Sequence, residues 1–180
     1  MEFKPWPKIT RIENRRTPIF TEKLDGTNAC IVIGPALGLN QDKVLHIENG
    51  LQIFAQSRSR FITPDDDNYG FARWVQENGR ELIQLGAGYH FGEWWGQGIK
   101  RGYGQTKKRF SLFDTRRWHA DNPPPAPCEV VPVLPVETHD EARSWLLTNG
   151  SIAAPGFLNP EGAVMFDLDT KTPFKIIINK

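Results

Sequence analysis

The sequence contains little cysteine, almost no net charge and no long apolar run. Its 180 residues include 22 basic and 21 acidic side chains, which leave a formal charge of +1. Its two cysteines, Cys30 and Cys128, lie far apart, so we expect reduced thiols rather than a disulfide framework. No uncharged stretch reaches the roughly 18 residues of a membrane span, and the first residues lack the apolar segment of a secretion signal. These absences predict a folded cytoplasmic protein with no membrane partner.

Two common types of site are also missing. The four histidines and two cysteines show no metal-ligand spacing, which argues against a structural zinc ion. No segment has the Gly-x-x-x-x-Gly-Lys-Ser/Thr pattern of a phosphate-binding loop, so any use of ATP depends on other residues. Three aspartates at 65–67 precede apolar residues at helical spacing. They predict the start of a helix, with a metal site as the weaker alternative.

Strand patterns outnumber helical ones. Helical spacing is confined to residues 71–85, where Gly79 is expected to end or interrupt the helix, and to the segment after the capping box of Thr138 and Glu141. Strand patterns cover residues 21–33, 44–54, 90–95, 110–113, 163–166 and 174–178. Because no regular βαβ alternation is present, we predict an α+β fold with mainly antiparallel sheets and a few flanking helices. The length predicts a single domain over residues 1–180.

Three short motifs combine a charged side chain with a neighbouring glycine. Lys-Leu-Asp-Gly at 23–26 sets an amine at the end of a strand, from which it projects into a cleft. Phe-Gly-Glu-Trp-Trp-Gly at 91–96 sets the carboxylate of Glu93 in an aromatic strand, and Glu161 comes just before a late strand. Each motif alone has an ordinary structural explanation, such as a solvated carboxylate at a strand end. Their order along the chain favours one functional site.

The ordered set resembles the covalent nucleotidyltransferase superfamily of ATP-dependent polynucleotide ligases and mRNA capping enzymes. Residues 23–26 match its nucleophile motif, 91–96 its third motif, 110–114 the hydrophobic motif that follows, and 161–162 its fourth motif. Asn28 stands where DNA ligases and capping enzymes usually carry arginine, which indicates the RNA ligase branch. The resemblance implies a ligase-type adenylyltransferase domain over nearly the whole chain, with ATP as substrate and Mg²⁺ or Mn²⁺ as cofactor.

The resemblance also implies a reaction. Lys23 attacks the α-phosphorus of ATP, releases pyrophosphate and holds AMP as a phosphoramidate; AMP then passes to a nucleic-acid 5′-phosphate, and a 3′-hydroxyl displaces it. A lysine with an unperturbed pKa of about 10.4 is rarely neutral at pH 7, so a cation must activate the amine. Lys175, in the family's last motif, and the metal ion are the candidates for that cation.

Each remaining motif residue receives an expected role from the same resemblance. Phe113 stacks on adenine, Glu22 reads the adenine edge, and Glu93 hydrogen-bonds the ribose. Arg58 contacts ribose or phosphate, with Arg60 as a close rival. The expected nucleotide-binding set is Glu22, Asn28, Arg58, Glu93, Phe113 and Glu161, of which Glu161 and Glu93 are also the expected metal ligands.

The end of the chain departs from the family pattern. The last motif usually carries two lysines one residue apart, whereas Lys175 is followed by Ile176 and Ile177. Lys171 and Lys180 are nearby, but neither has the required spacing. Because little chain follows Lys175, we expect no appended C-terminal OB-fold or other module. A minimal catalytic domain, a partner protein or a homodimer stay open as alternatives.

Basic residues concentrate between positions 100 and 118, where aromatic residues interleave with them. This pattern predicts a track for the phosphates of RNA ends or of a nicked duplex, with a solvated face as the alternative. The expected contacts are Lys100, Arg101, Lys107, Lys108 and Arg109.

The sequence as a whole leaves three candidate functions: an ATP-dependent RNA ligase, a stand-alone nucleotidyltransferase with another acceptor, or a catalytically inactive nucleic-acid-binding module.

Overall fold

The computed structural model describes residues 16–37 and 41–178 and places their strands in two sheets. The small sheet is antiparallel and has the strand order β1-β9-β10. The large sheet has seven strands in the order β3-β4-β2-β6-β7-β8, with β5 paired to β4. The strands are β1 (Ile19–Lys23), β2 (Thr27–Pro35), β3 (His46–Glu48), β4 (Leu51–Ser57), β5 (Phe61–Ile62), β6 (Gly88–Gly96), β7 (Lys108–Leu112), β8 (Glu129–Val130), β9 (Gly162–Asp167) and β10 (Thr172–Ile177). The helices are α1 (Phe71–Glu77), α2 (Gly79–Leu82) and α3 (His139–Asn149).

The predicted α+β class is confirmed, with antiparallel sheets and a few flanking helices. Among the described strands, the pair β7–β8 alone runs parallel. Apolar residues of α1 and α2 pack on one face of the large sheet, and Ala142 and Leu146 of α3 pack against Phe20 and Ala163 of the small sheet. In the part of the chain that the structure describes, no helix is long and apolar enough to cross a membrane.

Local sequence signals set several turns and helix ends. Asn49 and Gly50 adopt positive φ angles of 51° and 76°, as the tight turn between β3 and β4 requires. Asp67 accepts hydrogen bonds from the backbone N–H groups of Ala72 at 2.8 Å and Arg73 at 3.1 Å, so an aspartate of the 65–67 run caps α1 as predicted. These contacts assign the run to helix initiation.

The predicted helix over 71–85 is interrupted at Gly79. Helix α1 ends before Asn78, and α2 begins at Gly79 and passes into a 3₁₀ turn over Ile83–Leu85. The side chain of His46 lies where a Cβ atom on residue 79 would project. The absence of a side chain at position 79 therefore allows α2 to pack closely against β3, and the chain leaves the helical conformation at the preceding residue, Asn78.

The segment 24–26 joins the two sheets and fixes the position of Lys23. Lys23 is the last residue of the small sheet's first strand, and Thr27 begins β2 of the large sheet. Leu24 is buried with Trp95 and Tyr103 in an apolar cluster. Gly26 lies so close to the backbone of β6 that a Cβ would overlap the Trp94 carbonyl oxygen. The short connection therefore holds the end of β1 against β6.

Gly162, the first residue of β9, provides a test of this close packing. Its φ is +153°, and a Cβ would overlap the carbonyl oxygen of Ile176. We expect Gly162→Ala to lower the free energy of unfolding by about 2–4 kcal/mol, because backbone strain and overlap both act there. The measurement is equilibrium denaturation, with Gly34→Ala as control because no atom lies within 4 Å of its Cβ position. Equal stability of the two variants would contradict the register between β9 and β10.

Candidate active site

A cavity of about 540 Å³ lies between the two sheets, beside the turn at 24–26. Thr21, Lys23 and Val164 line it from the small sheet, and Asn28 and Glu93 line it from the large sheet. Further lining residues come from the segment at 112–118. A cavity of this size is in the range that holds a nucleotide-sized ligand.

Lys23, which lines this cavity, forms an ion pair with Glu161. The Nζ atom of Lys23 donates a hydrogen bond to Oε2 of Glu161 at 2.7 Å, and the two side chains are 27% and 18% exposed. The strand register explains this contact, because Lys23 pairs with Gly162 and Glu161 directly precedes that glycine. Two motifs 138 residues apart in sequence therefore share one ion pair.

Glu93 lies beside this pair and is almost completely buried, at 8% exposure. Its Oε1 accepts the backbone N–H of Gly26 at 3.1 Å, and its Oε2 accepts the side-chain amide of Asn28 at 3.2 Å. Burial raises the pKa of Glu93 to about 7, although Lys23, the Gly26 N–H and Lys100 act in the opposite direction. The nearby carboxylate of Glu161 adds to the rise. Near neutral pH, Glu93 therefore exchanges between hydrogen-bond donor and acceptor forms.

Asp25 of the lysine motif points toward cations rather than toward Lys23. Its Oδ2 accepts Nε of Arg101 at 2.9 Å, and Lys100 Nζ lies 3.5 Å from its Oδ1. Its backbone N–H donates to the Tyr103 hydroxyl at 2.9 Å. Tyr103 is buried beside Trp95, with ring centroids 5.2 Å apart. These contacts hold the turn and pair the Asp25 carboxylate with cations other than Lys23.

Glu22 has a different environment, because strand alternation points it away from Lys23. Its Oε2 accepts the backbone N–H groups of Ile152 at 2.8 Å and Ala153 at 3.0 Å, so it anchors the segment after α3. Its Oε1 is buried with no hydrogen-bond partner among the described residues. Burial raises the pKa of Glu22, and Ser151 with the two backbone groups opposes that rise. Glu22 forms part of the cavity wall.

The structure distinguishes the two rival arginines. Arg60 is bound to Asp66 through two hydrogen bonds of 2.7 and 2.9 Å. Arg58 instead lines a smaller cavity of about 190 Å³ together with Asn28 and Phe113. The side chain of Phe113 is 43% exposed and lines both cavities. Arg58 is thus the arginine placed beside the other expected nucleotide-binding residues.

Lys175 is not brought into contact with Lys23 in the described structure. It pairs with Val164, which pairs with Thr21, so it lies on the same sheet face as Lys23 but two strands away and exposed. Ile177 pairs with Gly162 and therefore shares a row with Lys23. Position 177, where the family motif usually has its second lysine, is thus the position that shares a row with Lys23.

The other two lysines near the end of the chain do not fill this position. Lys171 lies in the turn at the far end of the β9–β10 hairpin. Lys180 lies outside the described residues. The described part of the hairpin therefore places an apolar side chain where the family usually has the second cation.

The predicted basic strip is divided among separate contacts. Lys100 and Arg101 face Asp25, and Lys108 donates to the Tyr69 carbonyl oxygen at 2.6 Å. Arg109 pairs with Glu129, with its guanidinium NH2 group 2.7 Å from Oε2, and lies over the Trp95 ring. Lys107 is exposed. Arg109 is thus engaged within the protein, a contact between distant residues that the local charge pattern did not reveal.

Phe91 is a lining residue that the sequence analysis did not single out. It lies two residues before Glu93 on β6, so alternation places both on the same sheet face. It is 54% exposed and lines both cavities. The sequence offered one signal, the period of two that places Phe91 on the same face as Glu93; the exposure of Phe91 follows only from how the sheet packs.

Comparison with known proteins relates this geometry to one family. A family model described as RNA ligase matches residues 16–177. Solved structures of RNA ligase from Naegleria gruberi share the fold. A variant with ATP and Mn superimposes with a TM-score of 0.55 at 19% identity over 93% of this chain and 51% of that one. A variant with AMP and Mn gives 0.54 at 18% identity over 92% and 51%.

A third structure of that ligase, with PPi, gives a TM-score of 0.52 at 16% identity and covers 96% of this chain and 57% of that one. The chain therefore spans about half the length of the solved structures that it resembles. No curated protein matched the chain. At these identities the structural likeness establishes the fold, whereas the family model covers nearly the whole sequence.

The buried carboxyl of Glu93 predicts a pH-dependent stability. Its pKa is about 7 in the folded protein against an ordinary 4.5, so the folded protein keeps a proton that the unfolded chain releases as pH rises. Its contribution to stability is complete below about pH 4.5 and is lost as pH rises through about 7. We expect Glu93→Gln to gain about 2–4 kcal/mol relative to the parent between pH 4 and 8.

The measurement is urea denaturation of metal-free protein across this pH range. Glu77→Gln, at an exposed position on α1, is the control and should track the parent. A constant difference between Glu93→Gln and the parent at every pH would show that burial does not hold a proton on Glu93.

Proposed function

Because the chain belongs to the RNA ligase family, we propose that it is an ATP-dependent RNA ligase that forms a covalent lysyl-AMP intermediate at Lys23. The observation that carries the proposal is the Lys23–Glu161 pair at 2.7 Å, at the edge of a cavity of nucleotide size. An inactive binding module has no need for an amine and two carboxylates gathered beside such a cavity. The geometry therefore favours an enzyme over that alternative.

The surrounding residues support one orientation of the nucleotide. Phe113 offers an exposed ring for adenine, and Glu22, in the cavity wall, carries a carboxylate of the kind that accepts from an exocyclic amine. Glu93 and Asn28 lie beside Lys23 and suit the ribose hydroxyls. Arg58 borders the same region and suits the ribose or a phosphate. The α-phosphate then lies nearest to Lys23.

The donor set also fits a divalent metal ion such as Mg²⁺ or Mn²⁺. Within the described residues, no group of three or more acidic, histidine or cysteine side chains forms a metal cage. Mg²⁺ usually keeps several waters and uses one or two carboxylates together with substrate phosphates. Glu161 and Glu93 would provide those carboxylates. When bound, the metal supplies positive charge that stabilises the phosphates and the leaving pyrophosphate.

The chemistry at Lys23 begins with a proton transfer. An ammonium has no lone pair, and Oε2 of Glu161 is the acceptor already in contact with Nζ. Once Nζ is neutral, it forms a bond to the α-phosphorus while the bond from that phosphorus to the bridging oxygen breaks. Pyrophosphate leaves with the electron pair of that bond, and a second proton leaves Nζ. The product is a phosphoramidate between Lys23 and AMP.

We infer that the acceptor of AMP is a 5′-phosphorylated RNA end, which a 3′-hydroxyl then attacks to release AMP. A nicked duplex and an acceptor other than nucleic acid are the alternatives that the acceptor assay below separates.

The protein's two cysteines, Cys30 and Cys128, are both free and buried, which supports a reducing cytoplasmic location.

The mass of the intact protein tests covalent adenylylation. After incubation with ATP and Mg²⁺ or Mn²⁺, we expect a gain of one adenylyl group in the parent and in Lys43→Arg. We expect none in Lys23→Arg, because a guanidinium keeps the ion pair but is not a nucleophile at neutral pH. Pretreatment with pyrophosphate removes AMP acquired before purification. An unchanged parent mass with both metals, or an adduct on Lys23→Arg, would contradict the proposal.

The acceptor is identified by adding trial substrates to the adenylylated protein. A single-stranded RNA with a 5′-phosphate should discharge the AMP within the assay, and the same RNA with a 5′-hydroxyl should not. Nicked duplexes and single-stranded DNA are tested for discharge of AMP in the same way. Discharge that does not depend on any nucleic acid would favour a nucleotidyltransferase with another acceptor.

Arg58 and Arg60 form a matched pair for testing nucleotide contact. We expect Arg58→Ala to raise the ATP concentration for half-maximal adenylylation about tenfold or more, since a hydrogen bond to a charged group contributes about 1.5–3 kcal/mol. Arg60→Ala should leave that concentration within about twofold of the parent, because Arg60 is bound to Asp66. Equal effects of the two substitutions would remove the basis for assigning Arg58 to the nucleotide.

A further inference from the structure

An exposed aromatic pair continues from the site along β6. Tyr89 is 63% exposed and Phe91 is 54% exposed, and their rings lie 6.1 Å apart at an interplanar angle of 13°. Both project from the same sheet face as Glu93, because the three residues alternate along the strand. With about 3.3 Å per residue, the Cα atoms of Phe91 and Tyr89 lie about 7 and 13 Å from that of Glu93.

The side chains that face this pair on the neighbouring strand are uncharged. Cys30 and Val32 of β2 face Phe91 and Tyr89 in the register and are buried, at 2% and 9% exposure. On the other side, the backbone N–H of Phe113 donates to the Phe91 carbonyl oxygen at 3.0 Å, which places a third exposed aromatic residue next to the pair. Exposed aromatic surface of this kind is unfavourable in water unless a ligand covers it.

Positive charge adjoins the aromatic pair. Arg116 and Arg117 line the same cavity as Tyr89 and Phe91. Arg117 is held by the Leu85 carbonyl oxygen and lies over the Trp118 ring. Arg116 is 63% exposed and lies 5.8 Å above the Phe166 ring. Its pairing with exposed Asp114, at 3.9 Å, is weak because both groups are solvated.

We propose that Tyr89, Phe91 and Arg116 bind the unpaired terminal nucleotides of an RNA strand whose end is delivered to the site. Parallel exposed rings suit base stacking, and an adjacent guanidinium suits the phosphate between stacked bases. This combination favours single-stranded nucleic acid over an acidic protein, which would leave the ring faces uncovered. The inference rests on the proposed function for the identity of the strand, but the binding itself is measured separately.

The first test is the affinity of the full chain for a fluorescently labelled single-stranded RNA with a 5′-phosphate. We expect Tyr89→Ala with Phe91→Ala to bind at least about 30-fold more weakly than the parent, since two stacked bases are lost and each contributes about 1–3 kcal/mol. Phe174→Ala is the control, because Phe174 is an exposed aromatic residue on β10 that faces away from the Lys23 side of its sheet. It should bind RNA like the parent. A blunt duplex should bind less tightly than the single strand.

The salt dependence of RNA affinity distinguishes the contribution of the aromatic rings from that of Arg116. Loss of one phosphate contact in Arg116→Gln should reduce the slope of log affinity against log salt by about 0.7, the value for a single strand. The double aromatic variant should keep the parent slope at lower affinity. Strands labelled at a 5′-phosphate or at a 3′-hydroxyl end identify which RNA end occupies the surface.

Three results would overturn this proposal. RNA affinity of the aromatic double variant equal to that of the parent would exclude stacking on this surface. A fall in adenylylation with unchanged RNA affinity would assign the pair to the ATP site. A change in sedimentation of the double variant, again with unchanged RNA affinity, would make the surface an interface between copies of this chain. If the parent forms no lysyl-AMP but the variant still loses RNA affinity, the proposed function fails and this inference stands.

Discussion

The ion pair between Lys23 and Glu161 is the contact on which the site depends. It links the end of the first strand to the residue before β9, and neither side chain can reach the other unless β1 and β9 pair in the observed register. Gly162 makes that register possible, because a side chain there would collide with the neighbouring strand. The small sheet therefore serves the chemistry directly: its pairing places an amine and a carboxylate within one hydrogen bond.

The large sheet supplies the other half of the site through a buried acid. Glu93 loses solvation in its position, and the Gly26 N–H and the Asn28 amide recover part of that loss. The same two hydrogen bonds fix the turn that carries Lys23. Glu93 thus ties β6 to the turn between the two sheets and also lines the cavity.

Much of this arrangement was predictable from local patterns. The α+β class, the Asn49-Gly50 turn and the helix start at Asp67 follow from residue preferences that act within a few positions. The gathering of Lys23 and Glu161 was expected from motif order. The partners of Asp25 and Arg109 were not, because those contacts depend on how loops pack between distant strands.

The exposure of Tyr89 and Phe91 was equally unpredictable, because aromatic residues in a strand are typical of a buried core. Only the packing of the sheet shows that these two are exposed. Strand register also explains why Lys175 lies apart from Lys23 while Ile177 shares its row. The spacing of residues within a motif does not show how its strand pairs with others, so it cannot show which residue of the motif faces a site two strands away.

Covalent catalysis by Lys23 requires a phosphorus–nitrogen bond, and phosphorus NMR observes that bond directly. The protein, labelled with ¹⁵N in its lysines, is incubated with ATP and Mg²⁺ or Mn²⁺ and then freed of unbound nucleotide. We expect one phosphoramidate resonance split by a single ¹⁵N nucleus, which persists when the protein is unfolded in alkali. A resonance without that splitting would show that the phosphorus is not bonded to a lysine nitrogen, and AMP that leaves on unfolding would show that it is not covalently bound; either result contradicts covalent catalysis by Lys23.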